Sequence, residues 1–511
     1  MNYSMHLLLA AATLPSFKKD SAQDTAESAA PELADIVTAA AEKILRFVDV
    51  FLKQPVSPAR VCEFEQQLQE QLREMGRQTV QWTYNRLEPR DVQELPKHVE
   101  FEGSFYTRLN KKTPQQAWTL FGSIRLRRIG YRPTEKNGDP TIFPLAMSLG
   151  LVQGASPALA GRAAQLMADT GMTQSRTLAR LRQDCGVGWG VKKLRQVTAA
   201  VAEAMTAQRQ EVQVERLLAL LAKADASKGR HKPVLSVGRD GITLAVRCKG
   251  GRVYEVASTG TVSVLDRRGK RLGTVYLAFT PESCQGTMSQ ALTQLLAAVF
   301  ARWQKPLPRL CYVTDSGDNE TNYYEQTLSK MRHPSTGKEL EWIRVVDYYH
   351  ASERVWTMAE LLFGKSQRSA AWARKMQKWL KKPGGVNRVL HSAAALRDKY
   401  RLRGKKRADF QRAYRYLRDR MAFMRYAEYR QWGVPLGSGV TEAACKTVYT
   451  ERLKLSGMRW EKPGAQTILD LRVLLLSGVW DQAYVRVLEK YVGPKSRDQR
   501  EFDEIEAEFA A

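Results

Sequence analysis

Three acidic residues of the 511-residue chain stand out for where they fall: Asp240, Asp315 and Glu442. Asp240 interrupts the run VLSVGRDGITLAVR, between Arg239 and Gly241, where a buried strand would rather carry an apolar side chain. Asp315 closes PRLCYVTDSG after Leu310, Tyr312 and Val313, at the carboxyl edge where α/β sheets commonly place ligands. Glu442 falls in the first turn of a helix that begins after the GSG break at Gly437 to Gly439, and a helix start favours an ionised carboxylate. Carboxylates brought from distant parts of a chain to one polar patch can hold Mg²⁺ or Mn²⁺, two ions roughly 4 Å apart, with water and phosphate completing the shell. Such a pair relieves charge on the attacking and leaving oxygens of a phosphodiester, so these residues suggest strand cleavage followed by attack of the freed 3′ hydroxyl on another strand. Each also has an ordinary reading, because Asp before Gly marks turns, Asp after a strand caps helices, and Glu442 can be a plain capping acid. Asp318 and Glu325 are the fallback carboxylates.

For Asp240 and Asp315 to meet, the strands that carry them must be neighbours. VLSVGRDGITLAVR, GRVYEVASTGTVSVLD and RLGTVYLAFT are β-rich runs separated by turn signals at Lys249 to Gly251 and Arg267 to Lys270, which predicts three consecutive antiparallel strands. A helix is expected over Gly286 to Trp303, with Ala291, Leu292, Leu295, Leu296 and Val299 on its apolar face. The apolar strand before Asp315, a helix through Asn322 to Met331 and the strand EWIRVVDYYH follow. The order βββαβαβ, then a helix bearing Glu442, is that of an α/β RNase H-like catalytic core, in which the first and fourth strands lie side by side.

The flanking segments read as mainly α. Residues 1–31 form a polar, Ala/Ser-rich lead-in expected to be disordered, and 32–118 a helical N-terminal region. Residues 119–223 combine a hairpin strand, LFGSIRLRRIGY with Leu120, Ile124 and Leu126 alternating, and a helix-turn-helix-like pair. The hairpin carries Arg125, Arg127 and Arg128. In the helical pair, Leu178, Leu181, Val191, Leu194 and Val197 are the expected packing positions, and Lys192, Lys193 and Arg195 would face DNA, although any helical hairpin with a Gly turn gives this pattern. Residues 232–350 and 433–490 supply the two parts of the core, 351–432 a basic helical insertion between them, and 491–511 an acidic tail.

Lys and Arg number 80 against 53 Asp and Glu, a net charge of +27, which calls for a polyanionic partner. Between residues 351 and 432 the count is 22 against 6, so 22 − 6 = 16 of the excess positive charges lie there. Lys405, Lys406, Arg407, Arg415 and Arg418 in this insertion, and Lys446, Arg452, Lys454, Arg459 and Trp460 after Glu442, are the further candidates for holding double-stranded DNA. Trp372, Trp379, Tyr414, Tyr416 and Tyr426 could stack on unpaired bases or fill a core. The six cysteines lack CxxC spacing and suit a reducing cytosol. The apolar run His6 to Leu14 is too short to span a bilayer, so a cytoplasmic protein with no membrane partner is expected.

The stretch GVPLGSGVTEAACKTVYTERLKLSGMRWEKPGAQTILDLRVLLLSGVWD, residues 433–481, closely resembles the end of the DDE transposases of the ISKra insertion-sequence family, relatives of Mutator-like transposases. VVDYYHASE and the hairpin LFGSIRLRRIGYRP resemble signatures of the same family, and the likeness spans roughly residues 115–485. The resemblance implies an RNase H-like core with a helical insertion before the catalytic Glu, and Asp240, Asp315 and Glu442 in the DDE positions holding Mg²⁺. It also aligns Asp347 and His350 with a short Asp/Cys-x-x-His signature. These two either buttress the metal site from behind or serve as a strand-end Asp and a helix-capping His. Many relatives carry a cysteine pair after the hairpin, which YRPTEKNGDP lacks, so no zinc knuckle is expected. The implied activity is binding of terminal inverted repeats and Mg²⁺-dependent cleavage and strand transfer, by a homodimer or larger assembly on DNA. A nuclease or resolvase of the same fold acting on branched DNA, and a domesticated, catalytically silent DNA-binding protein, are the alternatives.

Overall fold

The computed structural model describes residues 32–135, 139–249, 251–490 and 495–496. The lead-in at 1–31 and most of the acidic tail at 491–511 lie outside the described residues. The chain divides into two compact units, Met1–Trp82 and Thr83–Ala511.

The first unit is built from α1 (Leu33–Leu52) and most of α2 (Pro58–Arg86). Phe64 of α2 stacks against Phe47 and Phe51 of α1, with ring centroids 5.0 and 4.3 Å apart, which joins the two helices although neither buries a residue fully.

The second unit takes over at the last turn of α2 and, after a short 3-10 turn at Val92–Glu94, continues in strands, so the expected helical region at 32–118 ends at Arg86. β1 (His98–Phe101), β2 (Ser104–Arg108) and β5 (Tyr131–Pro133) form one sheet, to which β11 (Lys495–Ser496) pairs along β1. β3 (Thr113–Thr119) and β4 (Gly122–Arg128) form a separate hairpin, so the boundary placed at 118 cuts through one motif. Ile124 and Leu126 are buried as the alternation requires, whereas Leu120 falls in the two-residue turn and is exposed.

Helices α3 (Pro144–Ser148), α4 (Pro157–Ala168), α5 (Gln174–Cys185) and α6 (Val191–Asp225) follow. Gly186 caps α5 in the left-handed conformation that glycine adopts without strain, which turns the chain toward α6. Leu181, Leu194 and Val197 pack as expected and Leu178 is half-buried, but Val191 is exposed. Helix α6 runs 35 residues, its first half in one core and its second half under the central sheet.

That sheet orders its strands β10-β9-β6-β7-β8, from β6 (Val234–Cys248), β7 (Gly251–Leu265), β8 (Arg271–Phe279), β9 (Arg309–Thr314) and β10 (Trp342–Val346). β6, β7 and β8 pair antiparallel as their turns require, and β9 and β10 add parallel through the crossover helices α7 (Gly286–Arg302) and α8 (Asp318–Gln326). The chain is therefore a mixed α/β protein with a five-stranded mixed sheet.

Strand alternation then divides the cores. Leu235 and Val237 of β6 and Leu310 and Tyr312 of β9 face one core with α7 and the end of α6. Val234, Cys311 and Val313 face the opposite side, against helices α9 (Tyr348–Phe363), α10 (Gln367–Leu380), α11 (Gly385–Lys399), α12 (Gly404–Asp419) and α13 (Tyr426–Trp432). Further along that second face, Leu244, Val246 and Ala257 meet α4–α6 and the C-terminal elements. Those elements are α14 (Gly439–Ala444), a π-helical turn at Cys445–Thr450, α15 (Glu451–Leu453), α16 (Lys462–Leu476) and α17 (Trp480–Glu489). One face of the sheet thus carries two apolar cores with a seam between them. Among the described residues no helix is long and apolar enough to cross a membrane.

Candidate active site

The seam is where the acidic residues gather. Val237 of β6 pairs with Tyr312 of β9, and three residues further along both strands stand Asp240 and Asp315. By alternation Asp240 shares the face of Leu244 and Asp315 that of Val313, so both carboxylates point into the seam. β9 ends at Thr314, and Asp315 Oδ1 accepts a 3.0 Å hydrogen bond from the Gly317 amide that closes the turn. Ser316, inside this turn, is buried with φ +65°, a conformation costly for a residue bearing a Cβ and frequent at functional sites. The Tyr416 hydroxyl donates to the Asp315 carbonyl at 2.7 Å and the Arg420 guanidinium to the Ser316 carbonyl at 3.3 Å. The basic insertion therefore holds the turn that presents Asp315.

Glu442 arrives from the other side. Thr441, one residue before it, hydrogen-bonds Thr261 of β7 at 2.8 Å through their hydroxyls, and it can come this close because Gly238 offers no side chain at the contact. Cys445, one turn after Glu442, lies 3.4 Å from Asp240 Oδ2 and 3.3 Å from Thr259 Oγ1. The π-helical register beginning at Cys445 is a feature found mostly at functional sites.

Behind Glu442 lies a relay of polar contacts. Asp347 has no exposed surface; its Oδ1 caps α9 by accepting from the amides of Tyr349 and His350, the latter at 3.1 Å. Its Oδ2 accepts from the Ser438 amide, and the Ser438 hydroxyl lies 2.6 Å from that oxygen and 2.8 Å from Glu442 Oε1, able to donate to one at a time. His350 sets Nε2 3.5 Å from Glu442 Oε1 and Nδ1 3.0 Å from Glu353. Burial alone would lower the His350 pKa, but the Glu353 hydrogen bond and the charges of Asp347, Glu353 and Glu442 raise it above the ordinary imidazole value.

The carboxylates feel one another. Burial pushes the Asp240 pKa up and the charges of Asp315 and Glu442 push it further, against the Gly241 amide and the Cys445 thiol. The same holds for Glu320, a residue that no sequence pattern singles out. It lies in the first turn of α8, only 7% exposed, with its pKa raised by burial and by the charges of Asp315 and Asp240 and opposed by Arg239. A Cβ at position 317 would collide with the Glu320 carboxylate and stand 3.6 Å from Asp315 Oδ1, so the two carboxylates flank the same glycine. The only sequence signal for Glu320 is an acid five residues after Asp315, which any helix start supplies. Asp318 is exposed, and Glu325 points outward to Arg344 at 3.4 Å. Among the described residues no group of three or more His, Cys, Asp or Glu side chains is set for metal coordination as it stands. The acids share a seam and a field rather than a finished coordination shell.

The basic candidates divide. Arg125, Arg127, Lys192, Arg195, Lys405, Lys406, Arg407, Arg415, Arg418, Lys446, Lys454 and Arg459 are exposed, and Lys193 is half-buried. Arg128 is packed with its guanidinium 3.4 Å from the centre of the Phe143 ring. Arg452 is fully buried, its Nε bonded to the Met167 carbonyl at 2.8 Å, and burial followed by the charge of Arg472 lowers its pKa to about 10. Trp460 donates to the Leu453 carbonyl and packs on the core. Arg452 is thus out of reach of a DNA surface, while Arg128 and Trp460 are partly buried and committed to packing. The aromatics of the insertion likewise pack inward: Tyr426 bonds the Val346 carbonyl, Tyr416 that of Asp315, Trp372 the Ser392 hydroxyl, and Trp379 and Tyr414 line the same core.

No family model matches this chain, and no curated protein matches it.

Proposed function

We propose that the chain is a DNA transposase whose central sheet is an RNase H-like core, with Asp240, Asp315 and Glu442 as the acids that hold Mg²⁺ or Mn²⁺. The observation that carries the reading is the pairing of the strands that bear Asp240 and Asp315, adjacent and parallel, with Glu442 near enough for its charge to raise the Asp240 pKa. Acids crowded in a half-buried seam repel one another, which a divalent cation relieves. The metal pair, when bound, supplies charge relief to the attacking and leaving oxygens of the phosphodiester.

The protein's own part is placement. Asp315 is offered by the turn that Tyr416 and Arg420 clamp, and Asp240 is steadied by the Gly241 amide at 2.7 Å and the Cys445 thiol. Glu442 is aimed by Ser438 and His350, themselves set by Asp347. Asp347 and His350 act here as positioning residues behind the acids. Exposed arginines and lysines of the insertion and of the segment after Glu442 hold the DNA backbone, in keeping with the charge of +27.

Asp315→Asn is expected to abolish Mg²⁺-dependent nicking of inverted-repeat DNA while leaving its gel shift intact. Nicking at the wild-type rate in that variant would remove Asp315 from the site. Equal competition by a four-way junction would favour a resolvase over a transposase.

A further inference from the structure

Beyond Asp240, β6 and β7 project a hairpin whose end carries two adjoining cavities. The first, of about 310 Å³, is lined by Arg252, Tyr254, Leu453, Lys454, Met458 and Arg459 among others. The second, of about 360 Å³, shares Arg252 and Arg459 and adds Arg247. No carboxylate lines either one. Arg247 and Arg252 sit directly opposite each other across the hairpin, a like-charge pairing that destabilises a sheet unless something negative lies between. None of Arg247, Arg252, Lys454 and Arg459 has an acidic partner among the described residues. The Arg247 amide donates to the Trp460 carbonyl at 2.8 Å, which pins the loop that forms the cavity wall against the strand.

The two cavities differ in chemistry. The first combines apolar Leu453 and Met458 with the exposed Tyr254 ring, over which the Arg252 guanidinium lies at 4.5 Å. A flat, polarisable, uncharged group fits that wall. The second gathers three guanidiniums, donors suited to a phosphate. We propose that the pair forms a site for one unpaired nucleotide of a DNA strand, with its base against Tyr254 and its phosphate among Arg247, Arg252 and Arg459. Thr243, on the wall of the first cavity, lies three residues beyond Asp240, about 10 Å along the same strand, and by alternation on the opposite face of the sheet. The site would therefore hold an unpaired nucleotide across the sheet from the acidic seam. This rests on DNA being the partner, as proposed above.

The test compares binding of a short oligo(dT) strand with that of a blunt, GC-rich duplex, by fluorescence anisotropy at fixed salt. Tyr254→Ala removes the stacking surface without altering charge, and Ser456→Trp fills the cavity from its exposed rim. Both are expected to weaken single-strand binding by roughly 5- to 150-fold and to leave duplex binding unchanged. Single-strand affinity as in the wild type in both variants, or equal weakening on both probes, would overturn the nucleotide site. A wild-type chain that binds neither probe would overturn the proposed function as well, whereas normal duplex binding and cleavage together with single-strand affinity unchanged in both variants would sink this inference alone.

Discussion

A methyl group at position 317 would land on the Glu320 carboxylate, and that carboxylate is buried beside Asp315. Gly317→Ala should destabilise the protein through this collision, and the penalty should vanish in a Glu320→Ala background. A double-mutant cycle from urea unfolding is expected to show coupling of about 0.5–3 kcal/mol; additive effects would mean that the two residues do not touch. Asp240, Asp315 and Glu442 are legible in the amino-acid order because each is an acid where local pattern calls for something else: within an apolar strand, at a strand's end, or after a glycine break. Glu320 and Cys445 are not, since an acid near a helix start and a lone cysteine in a helix are ordinary, and only packing against β6 and β9 makes them part of the seam.

The element that presents Glu442 depends on a second buried cation. The π-helical turn frees backbone carbonyls, and Arg472 of α16 takes up those of Thr447 and Val448, while its Nη1 bonds the Ala168 carbonyl at the end of α4. Arg472 has no exposed surface, so removing it strands these acceptors out of reach of water. Arg472→Met is expected to cost about 3 kcal/mol or more, read as a lowered midpoint in thermal or urea unfolding; a loss within error of zero would show that the carbonyls find other donors. Nothing in the order of residues marks this arginine, because a cation on a mostly apolar helix reads as a solvent-facing residue. The same limit makes Arg452 look like a DNA contact when it is a buried brace. Charge type is visible in one dimension, and exposure is not.

At the scale of the molecule, the proposed DNA partner rests on the excess of cations. The exposed Lys405, Lys406 and Arg407 open α12, whose apolar side, through Phe410, Ala413 and Leu417, is buried. Replacing all three by Ala should make the plot of log affinity against log salt shallower by up to about 3, for duplexes of any sequence; an unchanged slope would place the phosphate contacts elsewhere. Which strands become neighbours in the central sheet is not a local quantity. The succession of strands and helices along the central core and the basic insertion are readable in the sequence, because period-two and period-3.6 patterns report which face an element buries. The small sheet around β1, β2 and β5 is not. Its strands are three to five residues long, too short for alternation to rise above noise, and β11 comes from the far end of the chain.

The amino-acid order by itself determined which segments of the central core become strands and helices, how much positive charge the chain carries, and which acids interrupt apolar runs, since all of these are local quantities. The tertiary structure alone decided that those acids share the seam between two cores, that Glu320 and Cys445 join them, and that some arginines and aromatics serve as internal braces. Burial and charge coupling depend on which distant residues become neighbours, and register between strands sets that.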